Sequence, residues 1–133
     1  MNWSDAVKVE DVRDVTAPFA PYVVYVYGSG ARGEMRADSD IDVEIFPGIA
    51  CEPYALFCAA QALAARCGRE VDLVDLTRAS GVLQAQVAAH GVRVIVNEVR
   101  RADEFEMYAL SDYAYLNEKR GQVIEAFMRP YHE

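Results

Sequence analysis

No apolar run in this chain approaches the eighteen or so residues of a membrane span, so the sequence offers nothing to cross a bilayer. Histidine is scarce: His90 and His132 are the two present, and neither has a partner at metal-ligand spacing, so no zinc site is expected. Cysteine is scarce as well. Cys51, Cys58 and Cys67 fall in or beside one predicted helical stretch and form no CxxC pair. An odd set of this kind reads as small buried residues in a reducing, cytoplasmic compartment. Positive charge is the third shortage. Lys and Arg total 13 against 21 Asp and Glu, a formal net charge of −8 among 133 residues. That balance excludes a protein whose main work is gripping phosphate backbones, which needs a basic surface, and stable nucleic-acid binding is not expected. A small acidic protein still binds nucleotides where metal ions bridge the charges. The opening residues, with Asp5, Glu10 and Asp11, do not resemble a secretory signal.

What is present describes an ordinary folded domain, 53% apolar and 26% charged. There are no repeats, low-complexity segments or linkers, so one domain over 1–133 is expected, with its core at about 18–97. Val7, Val9, Val12 and Val15 predict a helix over 4–16 with Ser4 at its cap, stopped by Pro18. Tyr22 to Tyr27 reads as a buried strand, as do Ile41 to Phe46, Glu70 to Leu76 and Val92 to Val96. Pro53 to Cys67 reads as a helix ending at Gly68, and Ser80 to His90 as a helix capped by Ser80 and ended by Gly91. From about Arg100 the pattern is one long helix, or two broken near Gly121, with Phe105, Tyr108, Ala109, Tyr115, Leu116, Val123, Ile124 and Phe127 at helical spacing. The fold class is therefore α/β or α+β: a mixed sheet of about four strands flanked by helices, with a C-terminal helical segment at about 100–129.

Most of the chemical information lies in Tyr22 to Phe46, YVVYVYGSGARGEMRADSDIDVEIF. Gly28, Gly30 and Gly33 match the dinucleotide fingerprint GxGxxG, but that motif opens a crossover helix of a dozen or more residues. The stretch before the next strand is too short and too polar for one. Asp38, Asp40 and Asp42 suggest a calcium loop, but Val43 and Ile49 stand where an EF-hand needs glycine and glutamate. The third reading survives: a strand, the turn Gly28-Ser29, ten residues, then Asp40-x-Asp42 opening a second strand. Alternation puts Asp40 and Asp42 on one strand face, where two carboxylates repel unless a divalent cation sits between them. Gly28 permits close backbone approach, and turn N–H groups with the Ser29 hydroxyl suit triphosphate oxygens.

Asp72 stands among apolar residues in a strand expected to be buried, where a lone carboxylate is costly. Beside the Asp40–Asp42 strand it completes a three-carboxylate cluster able to share two divalent ions and clamp a phosphoryl displacement. Asp75 has the opposite parity and should face away. Glu44 continues the acidic face and reads as a solvated strand residue rather than a further ligand.

These residues resemble the polymerase-β-like nucleotidyltransferases. Gly28-Ser29, Asp40-x-Asp42 and Asp72 match that superfamily's three motif elements. The Gly-Ser-x-Ala-x-Gly turn at 28–33, Ser39-Asp40-Ile41-Asp42 and Val71 to Leu76 look like its minimal (MNT) branch. The stretch Thr77 to Leu83 and the helical tail are similar to MNT antitoxins paired with HEPN toxins. The resemblance implies Mg2+, with two ions bound, and ATP as nucleotide donor. It implies a HEPN-domain ribonuclease as partner, neutralised by transfer of AMP to a tyrosine hydroxyl. Asp40, Asp42 and Asp72 would bind metal, Asp72 would also help deprotonate the attacking hydroxyl, and Gly28 and Ser29 would hold the triphosphate. A binding module that occludes the toxin without catalysis, and a transferase acting on a small hydroxylated molecule, are the alternatives.

Arg32 and Arg36 lie between the motifs, and Arg32 is close enough to the turn to be a candidate for the phosphates. Tyr108, Tyr113 and Tyr115 read as helix packing or a partner-binding face rather than self-modification sites.

Overall fold

The computed structural model of the protein describes residues 2–36 and 38–128, with side chains as far as Gly121. The helix expected over 4–16 is two: α1 (Trp3–Ala6) and α2 (Val9–Thr16), interrupted where Val7 turns extended. The cap is Asn2, not Ser4. Its side chain accepts from the Trp3 N–H while the Asp5 carboxylate accepts from the Asn2 N–H, a reciprocal arrangement that ties down both orphan donors. Pro18 sits in the first turn of a short 3-10 helix, Ala17–Phe19, that closes α2.

Four strands follow the expected positions: β1 (Val23–Tyr27), β2 (Ile41–Phe46), β3 (Val71–Asp75) and β4 (Val92–Val96). They form a single mixed sheet in the order β3-β2-β1-β4, with β2 and β3 parallel and the other pairs antiparallel. The parallel pair needs a long connection, and α4 (Pro53–Cys67) supplies it, with Pro53 in its first turn and Gly68 after its end. A one-turn helix, α3 (Ser29–Arg32), joins β1 to the loop before β2. The Gly-Ser segment is thus a turn that winds into a helix. Beyond β3, α5 (Gly81–His90) is capped by Ser80, whose hydroxyl accepts from the Leu83 N–H.

Each sheet face has its own core. Val24, Val26, Ile41, Val43, Ile45 and Leu73 pack with Val12 and Val15 of α2 and Leu63 of α4. On the opposite face Val23, Tyr25 and Leu76 pack with Val87 of α5 and with Ala102 of α6 (Val99–Met128). The C-terminal region is one continuous helix across Gly121, so of the two readings the unbroken helix holds; a single interior glycine costs a helix only about 1 kcal/mol. A polar latch seats α6: the Tyr25 hydroxyl donates to Glu106 at 2.6 Å, and Arg93 donates to Glu106 and Asp103, each at 2.7 Å. Further along, Tyr108, Tyr115 and Leu116 are exposed and Tyr113 half-buried, so within this chain the first three do not serve as packing. The side chains of Val123, Ile124 and Phe127, and His132, lie outside the described residues. No helix among the described residues is long and apolar enough to cross a membrane.

The cysteines depart from expectation. Cys51 is buried, Cys67 half-buried and Cys58 exposed, because Cys58 sits on the outer side of α4. Burial, with the Asp75 carboxylate nearby, pushes the Cys51 thiol up to about 11.

Candidate active site

Three neighbouring strand ends build the site. Antiparallel pairing sets Tyr27 opposite Asp42, so Gly28, next after Tyr27, emerges beside the Asp42 carboxylate. Parallel pairing sets Asp42 opposite Asp72. Paired positions share a sheet face, so strand register alone brings these carboxylates together. Asp40 stands just ahead of β2 and is exposed. Burial raises the Asp42 pKa above the usual carboxylate range, and the charges of Asp72 and then Asp40 push it the same way.

Asp72 corrects one expectation. It is exposed, not buried, because β3 is the edge strand of the sheet. Asp75 faces the other way, as its parity requires, and is buried. It accepts from the Thr77 N–H at 2.9 Å and the Thr77 hydroxyl at 2.6 Å, with Arg78 Nε at 3.7 Å from its second oxygen. It is a turn anchor below the opposite face.

Glu44 corrects another. The expected solvated side chain is 2% exposed, and its Oε1 has no hydrogen-bond partner among the described residues. It shares the face of Asp42, with Tyr25 and Val74 as its register neighbours, and α5 and α6 roof that face. Burial first, then the charges of Asp42 and Asp72, push its carboxyl up to about 8.

The turn is shaped for close approach. Gly28 has φ 75° and ψ −139°, a conformation open to glycine and strained for other residues. A β-carbon there would lie 2.8 Å from Asp42 Oδ2. At Gly30 a β-carbon would lie 2.7 Å from Val26 Cγ1, so that glycine lets α3 sit down on β1. Ser29 begins α3 and is half-buried. Arg32 is exposed and ion-paired with Glu34 at 3.0 Å. Arg36 is exposed too, and its N–H donates to the Ser39 hydroxyl at 2.7 Å. A cleft of about 510 Å³ opens next to Gly28, walled by Tyr27, Arg32, Gln86 and His90, within the size range of small-molecule sites. One tether had no signal in the sequence: Arg69 donates to the carbonyls of Arg36 at 2.7 Å and Ser39 at 3.1 Å, fixing the loop that presents Asp40.

The donor set suits a hard divalent cation: carboxylate oxygens only, close enough to repel one another, with a buried carboxylate oxygen unpartnered behind them. Among the described residues no three of these side chains already converge as a closed ligand set.

Known proteins resemble this chain. Residues 12–100, which include every acidic residue of the site, match the family described as Polymerase beta, Nucleotidyltransferase. The protein adenylyltransferase MntA of Shewanella oneidensis is 33% identical over 107 residues, 80% of this chain and 76% of that protein. A crystal structure of a toxin-antitoxin with AMP-PNP superposes with a TM-score of 0.78 at 27% identity, covering 92% of this chain and 100% of the matched chain. A structure of tri-AMPylated Shewanella oneidensis HEPN toxin in complex with MNT antitoxin gives 0.70 at 27% identity, covering 91% and 96%. By the extent of the family match and the likeness to MntA, this chain belongs to the polymerase-β nucleotidyltransferase family.

Proposed function

We propose that this protein is an antitoxin that transfers AMP from ATP to a tyrosine hydroxyl of a HEPN-domain ribonuclease toxin and so neutralises it. The observation that carries this reading is the pairing of Asp42 with Asp72 across β2 and β3, with the Gly28 turn pressed against Asp42. Support comes from the relative named for protein adenylylation, from the neighbour holding AMP-PNP, and from the neighbour whose HEPN toxin carries AMP groups.

In the transfer, the tyrosine oxygen bonds to the α-phosphorus of ATP, the bond from that phosphorus to the bridging oxygen breaks, and pyrophosphate leaves. Gly28 and Ser29 hold the triphosphate through turn N–H groups and the Ser29 hydroxyl. Arg32 would have to leave Glu34 to add a charge-assisted hydrogen bond. Asp40, Asp42 and Asp72 hold the divalent cations, Mg2+ in this reading and two in number. When bound, such ions neutralise the carboxylates and stabilise charge on the attacking and leaving oxygens. Asp72 also accepts the tyrosine proton, and its exposed position on the edge strand leaves it open to a hydroxyl carried by another protein. Along α6, Met107, Tyr108, Tyr115 and Leu116 are exposed apolar residues, the composition of a protein-binding surface.

ATP labelled at the α-phosphate and ATP labelled at the γ-phosphate separate the outcomes. Label on the toxin from the α-position alone is the expected result. Label from the γ-position would mean phosphoryl transfer and end the adenylylation reading. Neutralisation with no label from either would establish occlusion.

A further inference from the structure

Glu44 is the one residue near the site whose surroundings the reaction has not explained. Its side chain is 2% exposed on the sheet face that carries Asp42 and Asp72, and its Oε1 has no partner among the described residues. A carboxylate taken out of water without a hydrogen bond or counter-charge is costly. The charges bearing on it are those of Asp42 and Asp72, both negative. Sheet position alone would favour an apolar residue here, since its register neighbours are Tyr25 and Val74 and the surrounding core holds Val23, Leu76 and Val87. An acid at such a place has to find its compensation somewhere. On its own sheet face the strand-end carboxylates Asp42 and Asp72 stand one register step away.

We propose that Glu44 is a further carboxylate of the cation site, forming its buried inner wall and contributing directly to the affinity for the divalent ion held at Asp42 and Asp72. This rests on the reading of those aspartates as cation ligands. The bound ion supplies the positive partner that Glu44 Oε1 lacks, and the site gains a fourth carboxylate that a substrate cannot displace from solvent. In the metal-free protein Glu44 stays buried without a partner for Oε1; in the loaded protein it strengthens the hold on the ion. A purely structural buried acid would not do the second.

The test is Mn2+ binding to the full-length protein by calorimetry, with thermal melts taken in chelator and in Mn2+. The proteins are wild type, Asp42→Asn, Glu44→Gln and Glu44→Met. Expected for both Glu44 variants is Mn2+ affinity about 10-fold below wild type. Glu44→Met should also melt at a higher temperature than wild type in chelator, and both variants should gain less from added Mn2+. Wild-type affinity in folded Glu44→Gln overturns the inference while leaving the aspartate site in place, provided Asp42→Asn has lost binding. Absence of Mn2+ binding by wild type itself overturns the aspartate site and this inference together. Should neither Glu44 variant fold, wild type with carbon-labelled glutamate and aspartate carboxyls, titrated with diamagnetic Mg2+, gives the answer. A Glu44 carboxyl resonance that shifts in step with that of Asp42 supports the assignment, and one that stays in place while Asp42 shifts refutes it.

Discussion

Gly28 is a position where one added methyl group disturbs both the backbone and the site. Its backbone lies outside the region other residues adopt readily, and the methyl carbon would stand 2.8 Å from Asp42 Oδ2. Gly28→Ala is expected to cost about 1–3 kcal/mol in urea unfolding and to lower the AMP-transfer rate by about 10-fold or more, because the displaced Asp42 is misaligned. An Ala variant with wild-type transfer kinetics would show that the turn is not seated against Asp42. Cys51 gives a second residue-scale expectation. Burial and then Asp75 hold its thiol at about 11, whereas Cys58 is exposed. At about pH 8 iodoacetamide should alkylate Cys58 and reach Cys51 only in denaturant, since the thiolate is the reactive form. Equal labelling rates in the native protein would contradict this. At this scale the positions of Asp40, Asp42, Gly28 and Ser29 were legible because they follow from local spacing and strand alternation. The exposure of Asp72 and the burial of Glu44 were not, because the first depends on β3 being an edge strand and the second on α5 and α6 roofing one face. Neither fact is written in the neighbouring residues.

The elements bounded by proline or glycine match the sequence reading most closely: β2 before Pro47, α4 between Pro53 and Gly68, and β4 after Gly91. The first helix was misread because four valines at helical spacing obscured the extended turn at Val7, and because the box formed by Asn2 and Asp5 competes with Ser4 as a start signal. No periodicity announces how α6 is seated either. Arg93 on β4 and Glu106 on α6 are joined at 2.7 Å beside the Tyr25 hydroxyl, a three-way contact assembled only by tertiary structure. Arg93→Leu removes the cation from both Glu106 and Asp103. It is expected to destabilise the protein by about 1.5–3 kcal/mol, with faster hydrogen exchange in α6 than in β1 and β2. Uniformly faster exchange across the sheet would mean that α6 is not held by this latch.

For the whole molecule, the excess of acid, −8 in formal charge, bears on association more than on the fold. Attraction to a basic partner is long-range and screened by salt. Raising ionic strength should therefore slow association with the HEPN toxin by about 10-fold or more, as stopped-flow mixing would record, with a smaller change in dissociation. A salt-independent association rate would assign docking to the apolar residues of α6 instead. The sheet, the aspartate pair and the turn have meaning as one device only if the complete protein moves an adenylyl group. Intact mass of the HEPN toxin, after incubation with this protein, ATP and Mg2+, tests that most directly, with Asp42→Asn as the parallel reaction. Toxin heavier by one or more AMP units with wild type, and unchanged with Asp42→Asn, is the expected result. Toxin neutralised by both proteins at unchanged mass would contradict it.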